Sequence, residues 1–379
     1  MADKVAGKPW VFANQLQGGA ALRAVPPGSV SVLADANGRQ LGQYHVNPHS
    51  LITARLLTRN TGRVIDGSFY RERLERALRL RQRLFPTPFY RLVHAEGDGL
   101  PGLVVDRHGD VLVVQPNTAG MDQATGLIVE ALQGLLRPST IVVQADGAAR
   151  TLEGLEPVAR VAHGTAPEAL VLSENGFDYR VALLDGQKTG WFYDHRRNRA
   201  FVAELANGAS VLDLYSYAGG FGLLAAARGA TSVLSVDRSA PALALAGEAA
   251  SAAGLTTWRS ESADVFAWAE AARERFDIVV ADPPAFAKSR KDVPAALKGY
   301  RKLAALCAPR VAGDGFLALA SCSHHVEMTA FQEACADGIR VGGRGAKLIH
   351  VAHAGPDHPV HPQLPQTAYL KFLVFALSD

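Results

Sequence analysis

Two stretches hold side chains suited to covalent chemistry: Ala320-Ser-Cys-Ser-His-His325 and Asp282-Pro-Pro-Ala-Phe286. Each follows an apolar run of strand type, Gly315 to Ser321 and Ile278 to Ala281. In an open α/β sheet, residues at the carboxyl ends of strands face the ligand crevice. The two prolines after Asp282 stiffen the chain and remove two N–H groups, so the carboxylate is the fixed polar group at that rim. Such a rim can grip the hydrogen-bonding edge of a planar base. A free cysteine is most often a small buried apolar residue, and Cys307 and Cys335, inside helical patterns, are expected to be so. Cys322 differs because two serines flank it at a strand end beside the Asp282 rim. The next helix is expected to begin near His325, where its N-terminus would favour a thiolate.

A thiol opposite a carboxyl group has a specific chemical use. Carbon 5 of a pyrimidine is too weak a nucleophile to take a methyl group from a sulfonium. Addition of a thiolate to carbon 6 turns the ring into an enamine whose carbon 5 can, provided N3 receives a proton or hydrogen bond. Loss of the carbon 5 proton then expels the thiol, so the pair Cys322 and Asp282 reads as covalent catalysis with acid–base help. The base must be unstacked or arrive unpaired.

A ligand of nucleotide type is suggested by Val211-Leu-Asp-Leu-Tyr-Ser-Tyr-Ala-Gly-Gly-Phe-Gly222, a short strand, a glycine turn and a helix start. Asp213, Tyr215 and Gly219 are the candidate contacts. Asp237 ends the next strand, 24 residues after Asp213, a spacing that suits an acid accepting from ribose hydroxyls. No G-x-G-x-x-G pattern is present, which favours a ligand without a pyrophosphate, and S-adenosylmethionine fits. Asp264 can bind an adenine amino group or simply cap the helix after it. Lys188 and Arg196, in Asp185-Gly-Gln-Lys-Thr-Gly-Trp-Phe-Tyr-Asp-His-Arg196, can meet the ligand's carboxylate, and the aromatics Trp191 and Phe192 can cover it. His350-x-x-His353 and His358-x-x-His361 lack supporting cysteines, so no metal is expected.

These residues need an α/β frame. Residues 185–379 alternate apolar strands with helices near 241–253, 265–274, 295–311 and 325–337, which implies a mostly parallel sheet covered on both faces. Residues 1–67 show short strands between Pro, Gly and Asn signals, with a hairpin turn at Asn37-Gly38, and suggest a small barrel. Ser68 is a candidate cap for a helix over 69–84, with Leu74, Ala77, Leu78 and Phe85 on one side and six arginines (71, 73, 76, 79, 81 and 83) around the rest. Residues 68–184 read as a middle α+β unit. Strands are expected at 90–94, 102–106, 111–115 and 140–144, with a helix over 122–136. Residues 158–165 are expected to be irregular, followed by a hairpin over Glu174-Asn-Gly176.

Hydrophobic residues make up 48% of the 379 and charged residues 20%, which is ordinary for a globular protein. Three cysteines are too few for a disulfide framework. No signal-type or membrane-spanning apolar run is read, so a cytoplasmic location with no membrane partner is expected. The net charge of +3 conceals an asymmetry: residues 1–90 carry 13 Lys/Arg against 5 Asp/Glu. A basic N-terminal quarter suits a polyanionic partner.

Taken together, Gly186-Gln-Lys-Thr-Gly190 with Asp194-x-Arg196, the Asp213–Gly222 turn, Asp282-Pro-Pro-Ala-Phe286, Ser321-Cys-Ser323 and Asp357-His-Pro359 resemble the bacterial 23S rRNA cytosine-5 methyltransferases of the RlmI/RlmO type. The resemblance spans nearly the whole chain. It implies an N-terminal PUA-like β-barrel, a small middle α+β domain and a C-terminal Rossmann-like class I methyltransferase domain with a mostly parallel seven-stranded sheet. It also implies Cys322 as nucleophile, Asp282 against the target cytosine, and Asp213, Gly219, Asp237 and Asp264 at S-adenosylmethionine. The partner implied is 23S ribosomal RNA or a large-subunit intermediate; the oligomeric state, a homodimer among the options, is left open. Two departures stand out. Pro284 occupies the place where many RNA cytosine-5 methyltransferases carry a second cysteine, and His195 stands where the family usually has Gln. The remaining alternatives are an RNA methyltransferase acting on a guanine nitrogen or uracil carbon 5, and a non-catalytic RNA-binding or ribosome-assembly factor.

Overall fold

The computed structural model describes residues 8–17, 19–183 and 190–379. Lys188 therefore lies outside the described residues. The chain divides into two units, residues 1–168 with 183–191 and 356–365, and residues 169–182 with 192–355 and 366–379.

The first unit opens with β1 (Trp10–Val11), a short helix α1 (Gly19–Arg23), β2 (Ser29–Ala34), β3 (Gln40–Val46) and β4 (Ala54–Thr58). The strands form an antiparallel sheet in the order β1-β4-β3-β2, around Val11, Tyr44, Val46 and Ala54. The β2–β3 turn is fixed by Asp35, whose Oδ1 accepts from Asn37 N and Arg39 N at 2.9 and 3.0 Å, while Gly38 takes a positive φ.

Helix α2 (Gly67–Leu84) follows. Its cap is Asp66 rather than Ser68: Asp66 Oδ1 accepts from Phe69 N at 3.1 Å and from Ser68 Oγ at 2.7 Å. An aspartate with β-region backbone geometry, two residues earlier, supplies the better acceptor. Leu74 and Ala77 face the core as expected, but Arg81 does too, fully buried. Its guanidinium donates to Asp98, to Arg91 O and to Asp357 O, the last two at 2.9 and 2.8 Å. A buried carboxylate is what lets a cation enter this apolar face.

Strands β5 (Phe89–His94), β6 (Leu103–His108) and β7 (Val111–Pro116) are followed by α3 (Ala119–Gln123) and α4 (Thr125–Leu136), then β8 (Thr140–Ala145), α5 (Ala148–Leu152) and β9 (Val158–His163). They form a five-stranded sheet in chain order in which only β7 and β8 run parallel. The expected 122–136 helix is thus two helices broken at Ala124, and the stretch expected to be irregular is the strand β9, antiparallel to β8. β9 sits at the sheet edge and buries little, so it lacks the apolar signal of a strand. The strap 356–365 completes this unit. Asp357 is fully buried, Arg91 N donates to its Oδ2 at 3.1 Å, and a Cβ on Gly97 would lie 1.9 Å from Pro359 O.

The second unit begins with the hairpin β10 (Ala169–Glu174) and β11 (Phe177–Ala182), turning through Asn175 and Gly176 with positive φ. Then come α6 (Arg196–Leu205), β12 (Ser210–Leu214), α7 (Gly220–Ala227), β13 (Ser232–Asp237), α8 (Ala240–Ala252), β14 (Trp258–Ser262), α9 (Val265–Ala271), β15 (Phe276–Ala281), α10 (Val293–Cys307), β16 (Val311–Ser321), α11 (Met328–Val341), β17 (Gly345–Ala352) and β18 (Lys371–Ser378). The last seven-stranded sheet has the order β14-β13-β12-β15-β16-β18-β17. Its first five strands are parallel and β18 is antiparallel to both neighbours. The chain begins at β12, works outward one way to β14 and then the other way from β15, so the topological switch point lies between β12 and β15.

Candidate active site

Period-two alternation sorts the strand residues of this sheet onto two faces. Leu212, Leu214, Val279, Ala281, Leu317 and Leu319 pack with α9, α10 and α11. Val211, Ile278, Val280, Ala318 and Ala320 pack with α6 and α7. Continuing the second series gives Asp213, Asp282 and Cys322. Three residues expected at the site therefore leave the sheet on the same face, from β12, β15 and β16, on both sides of the switch point. Adjacent strands lie about 4.8 Å apart and rise about 3.3 Å per residue. Ala281 pairs with Leu319, so extending the register puts Cys322 two residues beyond Asp282 on the neighbouring strand.

The flanking serines take the other face. Ser321 Oγ donates to Tyr300 Oη at 2.9 Å, Tyr300 Oη lies 2.9 Å from Ser323 Oγ, and Ala287 N donates to Ser323 Oγ at 3.2 Å. One tyrosine on α10 thereby ties the Cys322 turn, and Ser323 ties the Asp-Pro-Pro loop to it. Ser321 and Ser323 are fully buried while Cys322 is half-buried. Cys307 and Cys335 are buried inside helices α10 and α11, and burial pushes their thiols up.

Helix α11 begins at Met328, not near His325, so the expected helix N-terminus does not adjoin the thiol. A cation does. Lys371 pairs across the sheet with Ser321, is buried, and donates through Nζ to Ser323 O at 2.8 Å and Tyr369 O at 2.7 Å. Burial lowers its pKa to about 8, with the Cys322 and Glu327 charges acting the other way. A lysine at the start of an apolar run reads as a strand boundary, which hid it in the sequence.

Asp282 meets His195, whose Nε2 lies 3.2 Å from Asp282 Oδ2. His195 was visible only as a departure from a family pattern. It precedes α6, and its ring is held edge-on to Phe221 and Phe372 at 5.5 and 6.0 Å.

The glycine turn is shaped for a small polar ligand. Gly219 starts α7 at φ 74°, and a Cβ there would lie 2.9 Å from the Leu223 side chain. A Cβ on Gly222 would lie 2.5 Å from Ser235 Oγ and 3.1 Å from Asp213 Oδ2, so the helix start is pressed onto the strands. Gly222 N donates to Asp213 Oδ2 at 2.8 Å. Among the described residues, Asp213 Oδ1, Tyr215 Oη and Ser216 Oγ are buried without a partner. Burial pushes the Asp213 carboxyl up to about 7, against the Gly222 hydrogen bond. Tyr215 and Tyr217 both take positive φ, which for bulky residues costs roughly 1–3 kcal/mol and marks a functional turn. Asp237 holds the turn: Oδ2 accepts from Tyr217 N at 2.9 Å and Oδ1 from Ser239 N at 2.7 Å. Asp264 caps α9 through Ala267 N at 3.1 Å. Arg196 lies 3.6 Å from Glu174 and over the Tyr193 ring at 5.2 Å, and Phe192 meets Tyr217 edge-on at 5.7 Å. Among the described residues no His/Cys/Asp/Glu cluster could hold a metal, and no helix is long and apolar enough to cross a membrane.

This strand order, with a glycine turn at the switch point and an acid closing the second strand, defines a class I S-adenosylmethionine-dependent methyltransferase unit. Residues 157–375 match the S-adenosylmethionine-dependent methyltransferase family and residues 5–59 a PUA-like domain. The chain is 36% identical to ribosomal RNA large subunit methyltransferase I of Alteromonas mediterranea, over 98% of this chain and 95% of that one. It is 35% identical to the protein of the same name from Shewanella denitrificans, over 97% and 94%. A protein of known structure from Streptococcus mutans, assigned as a SAM-dependent methyltransferase, has the same fold, with TM-score 0.83 and 22% identity over 99% of this chain and 97% of that one. A further such fold was crystallised with SAH, at TM-score 0.84 and 22% identity over the same shares. The chain belongs to the family of bacterial large-subunit ribosomal RNA methyltransferases of type I, with a PUA-like region ahead of the methyltransferase fold.

Its cofactor is S-adenosylmethionine. The orphaned oxygens of Asp213, Tyr215 and Ser216 fit that molecule, which brings an ammonium group and ribose hydroxyls able to satisfy them.

Proposed function

We propose that this chain methylates carbon 5 of a cytosine in 23S ribosomal RNA, with Cys322 as nucleophile and Asp282 as the group that engages N3. S-adenosylmethionine supplies an electrophilic methyl group when bound; Asp213, Tyr215, Gly219 and Asp237 are the residues that would hold it, with Lys188, Arg196 and Asp264 completing the proposed set. Cys322 adds to carbon 6, and Asp282 keeps a proton at N3, so carbon 5 becomes an enamine carbon. Lys371 stands beneath the thiol turn and favours its anionic form. The Tyr300 hydroxyl holds that turn and, through Ser323, the Asp-Pro-Pro loop in one geometry, which is how a rigid frame keeps two reacting groups aligned.

The carrying observation is the shared face of Asp282 and Cys322 at neighbouring strand ends, with both serines turned to the opposite face. The relatives' name supports ribosomal RNA of the large subunit as substrate, and the basic N-terminal quarter suits it. The cytoplasm is the place where such RNA is made and modified. Residues 1–67, 68–184 and 185–379 are the proposed RNA-binding, middle and methyltransferase portions.

The test is mass mapping of 23S rRNA from a strain lacking the gene, complemented by wild type or by Cys322→Ala. One 5-methylcytosine should vanish, return with wild type and stay absent with the variant. Undiminished methylation by Cys322→Ala, or loss of a methylguanine instead, overturns the reading.

A further inference from the structure

His195 is 3% exposed, and nothing in the chemistry above assigns it a task. Its surroundings are specific. Nε2 lies 3.2 Å from Asp282 Oδ2, and Nδ1 lies 3.1 Å from the side-chain amide of Asn198, which is fully buried one turn along α6. Asp194 accepts the His195 backbone N–H at 3.1 Å and the Tyr369 hydroxyl at 2.6 Å. The charged groups facing the ring are Asp282 from the end of β15, Asp194 beside it and Arg199 from α6; Phe221 from α7 and Phe372 from β18 bring none.

The amide of Asn198 accommodates either protonation state of this ring. With Nδ2 toward the imidazole it donates to an unprotonated Nδ1, and Asn198 Oδ1 is left buried without a partner among the described residues. Turned by half a revolution, Oδ1 accepts from the Nδ1–H of an imidazolium and gains a partner. Burial pulls the imidazolium down. The Asp282 charge and hydrogen bond, with Asp194, outweigh it despite Arg199, so the ring holds its proton above its ordinary range.

We propose that His195 is the positioning partner that supplies Asp282 with its proton, so that ring and carboxyl together lend one proton to N3 of the target cytosine and recover it when the thiol departs. The inference rests on the cytosine reading above. In the addition, the sulfur–carbon 6 bond forms, the carbon 5–carbon 6 π pair moves to carbon 4–carbon 5, and the carbon 4–N3 π pair takes the proton from the Asp282 carboxyl. That proton reaches Asp282 from the Nε2–H of His195 as it passes to N3, so the carboxylate–imidazolium pair becomes a carboxylate and a neutral ring that keeps its Nδ1–H on Asn198 Oδ1. Once carbon 5 has taken the methyl group, its proton leaves to solvent, the electron pair restores the carbon 5–carbon 6 double bond and the carbon 6–sulfur bond breaks to release the thiolate; the N3 proton returns through Asp282 to Nε2, so the pair ends the cycle as it began.

The test is the pH profile of single-turnover methylation of 23S rRNA. An acid form that must be present gives an alkaline limb: the rate falls as pH rises through the pKa of the pair. His195→Gln, which installs the residue usual in the family, keeps a hydrogen bond to Asp282 but cannot carry the proton; it should remove that limb, while calorimetry gives wild-type affinity for S-adenosylmethionine. Asn198→Asp places a permanent acceptor charge at Nδ1 and should move the limb upward by about one to three pH units. A wild-type limb in both variants overturns the proposal. The Cys322→Ala enzyme separates the two readings: if it still methylates, the covalent chemistry fails; if it is dead while both variants keep the wild-type limb, only the role of His195 fails.

Discussion

Asp213 is held by the fold at a cost to the empty protein, the cost expected of the ligand-binding role proposed for it. It is buried, and among the described residues one of its oxygens has a single backbone donor and the other has none. Its pKa is pushed up to about 7 by burial, with the Asp282 and Asp237 charges adding to that and the Gly222 N–H and Arg199 opposing it. The folded state thus holds this proton more tightly than the unfolded chain, whose Asp pKa is about 3.9. The protonated form contributes its stability fully below about pH 4, and that contribution is lost as pH rises toward about 7. Asp213→Asn mimics the protonated carboxyl at every pH. The melting temperature of the ligand-free variant should therefore rise relative to wild type between about pH 4 and 7 and hold a constant difference above it. A difference that is flat across that window would refute the assignment. Its type and spacing were legible in the sequence, since a strand ending in an acid before a glycine turn is a local pattern. The partner of Asp282 and the groups that hold the Cys322 turn were not, because His195, Tyr300 and Lys371 reach the site from three other elements, and no spacing along the chain encodes that meeting.

At the scale of elements, the apolar runs that mark β12, β13, β15 and β16 are buried on both faces, so composition alone located them. β9 and β17 lie at sheet edges and carry exposed residues, and that is why the sequence suggested neither. α2 was legible in length but not in its packing. An arginine in a basic helix reads as solvated, and only the fold brings Asp98 and the Asp357 carbonyl to Arg81. Two consequences differ in size. Arg81→Ala leaves Asp98 buried without its cation and should destabilise the first unit by about 3–5 kcal/mol, whereas the exposed cap variant Asp66→Ala should do much less. Urea unfolding followed by a probe within residues 8–168 checks the order; equal shifts for the two variants would show that the buried ion pair is not what fixes α2.

For the whole molecule, the placement of charge bears on the substrate. The positive excess of residues 1–90 survives in the structure as an exposed set on α2. Arg71 and Arg79 flank Glu75 at 3.2 and 3.9 Å, while Arg76 and Arg83 are exposed with no carboxylate in ion-pair reach among the described residues. Exposed surface pairs contribute little to stability, so these arginines have little structural purpose. On an RNA backbone each would displace a counterion, and binding would then weaken with salt by a slope of about −0.7 to −0.9 per contact. Arg76→Glu combined with Arg83→Glu should lower affinity for 23S rRNA and flatten that slope by about one to two units, with melting temperature and S-adenosylmethionine affinity as in wild type. An unchanged slope would place the RNA on a different surface and leave the basic helix as ordinary solvated exterior. On the proposed chemistry the labour divides on physical grounds: sequence-independent phosphate contacts would hold a long polyanion at many points, which would leave the thiol and carboxyl at two neighbouring strand ends to discriminate a single unstacked ring.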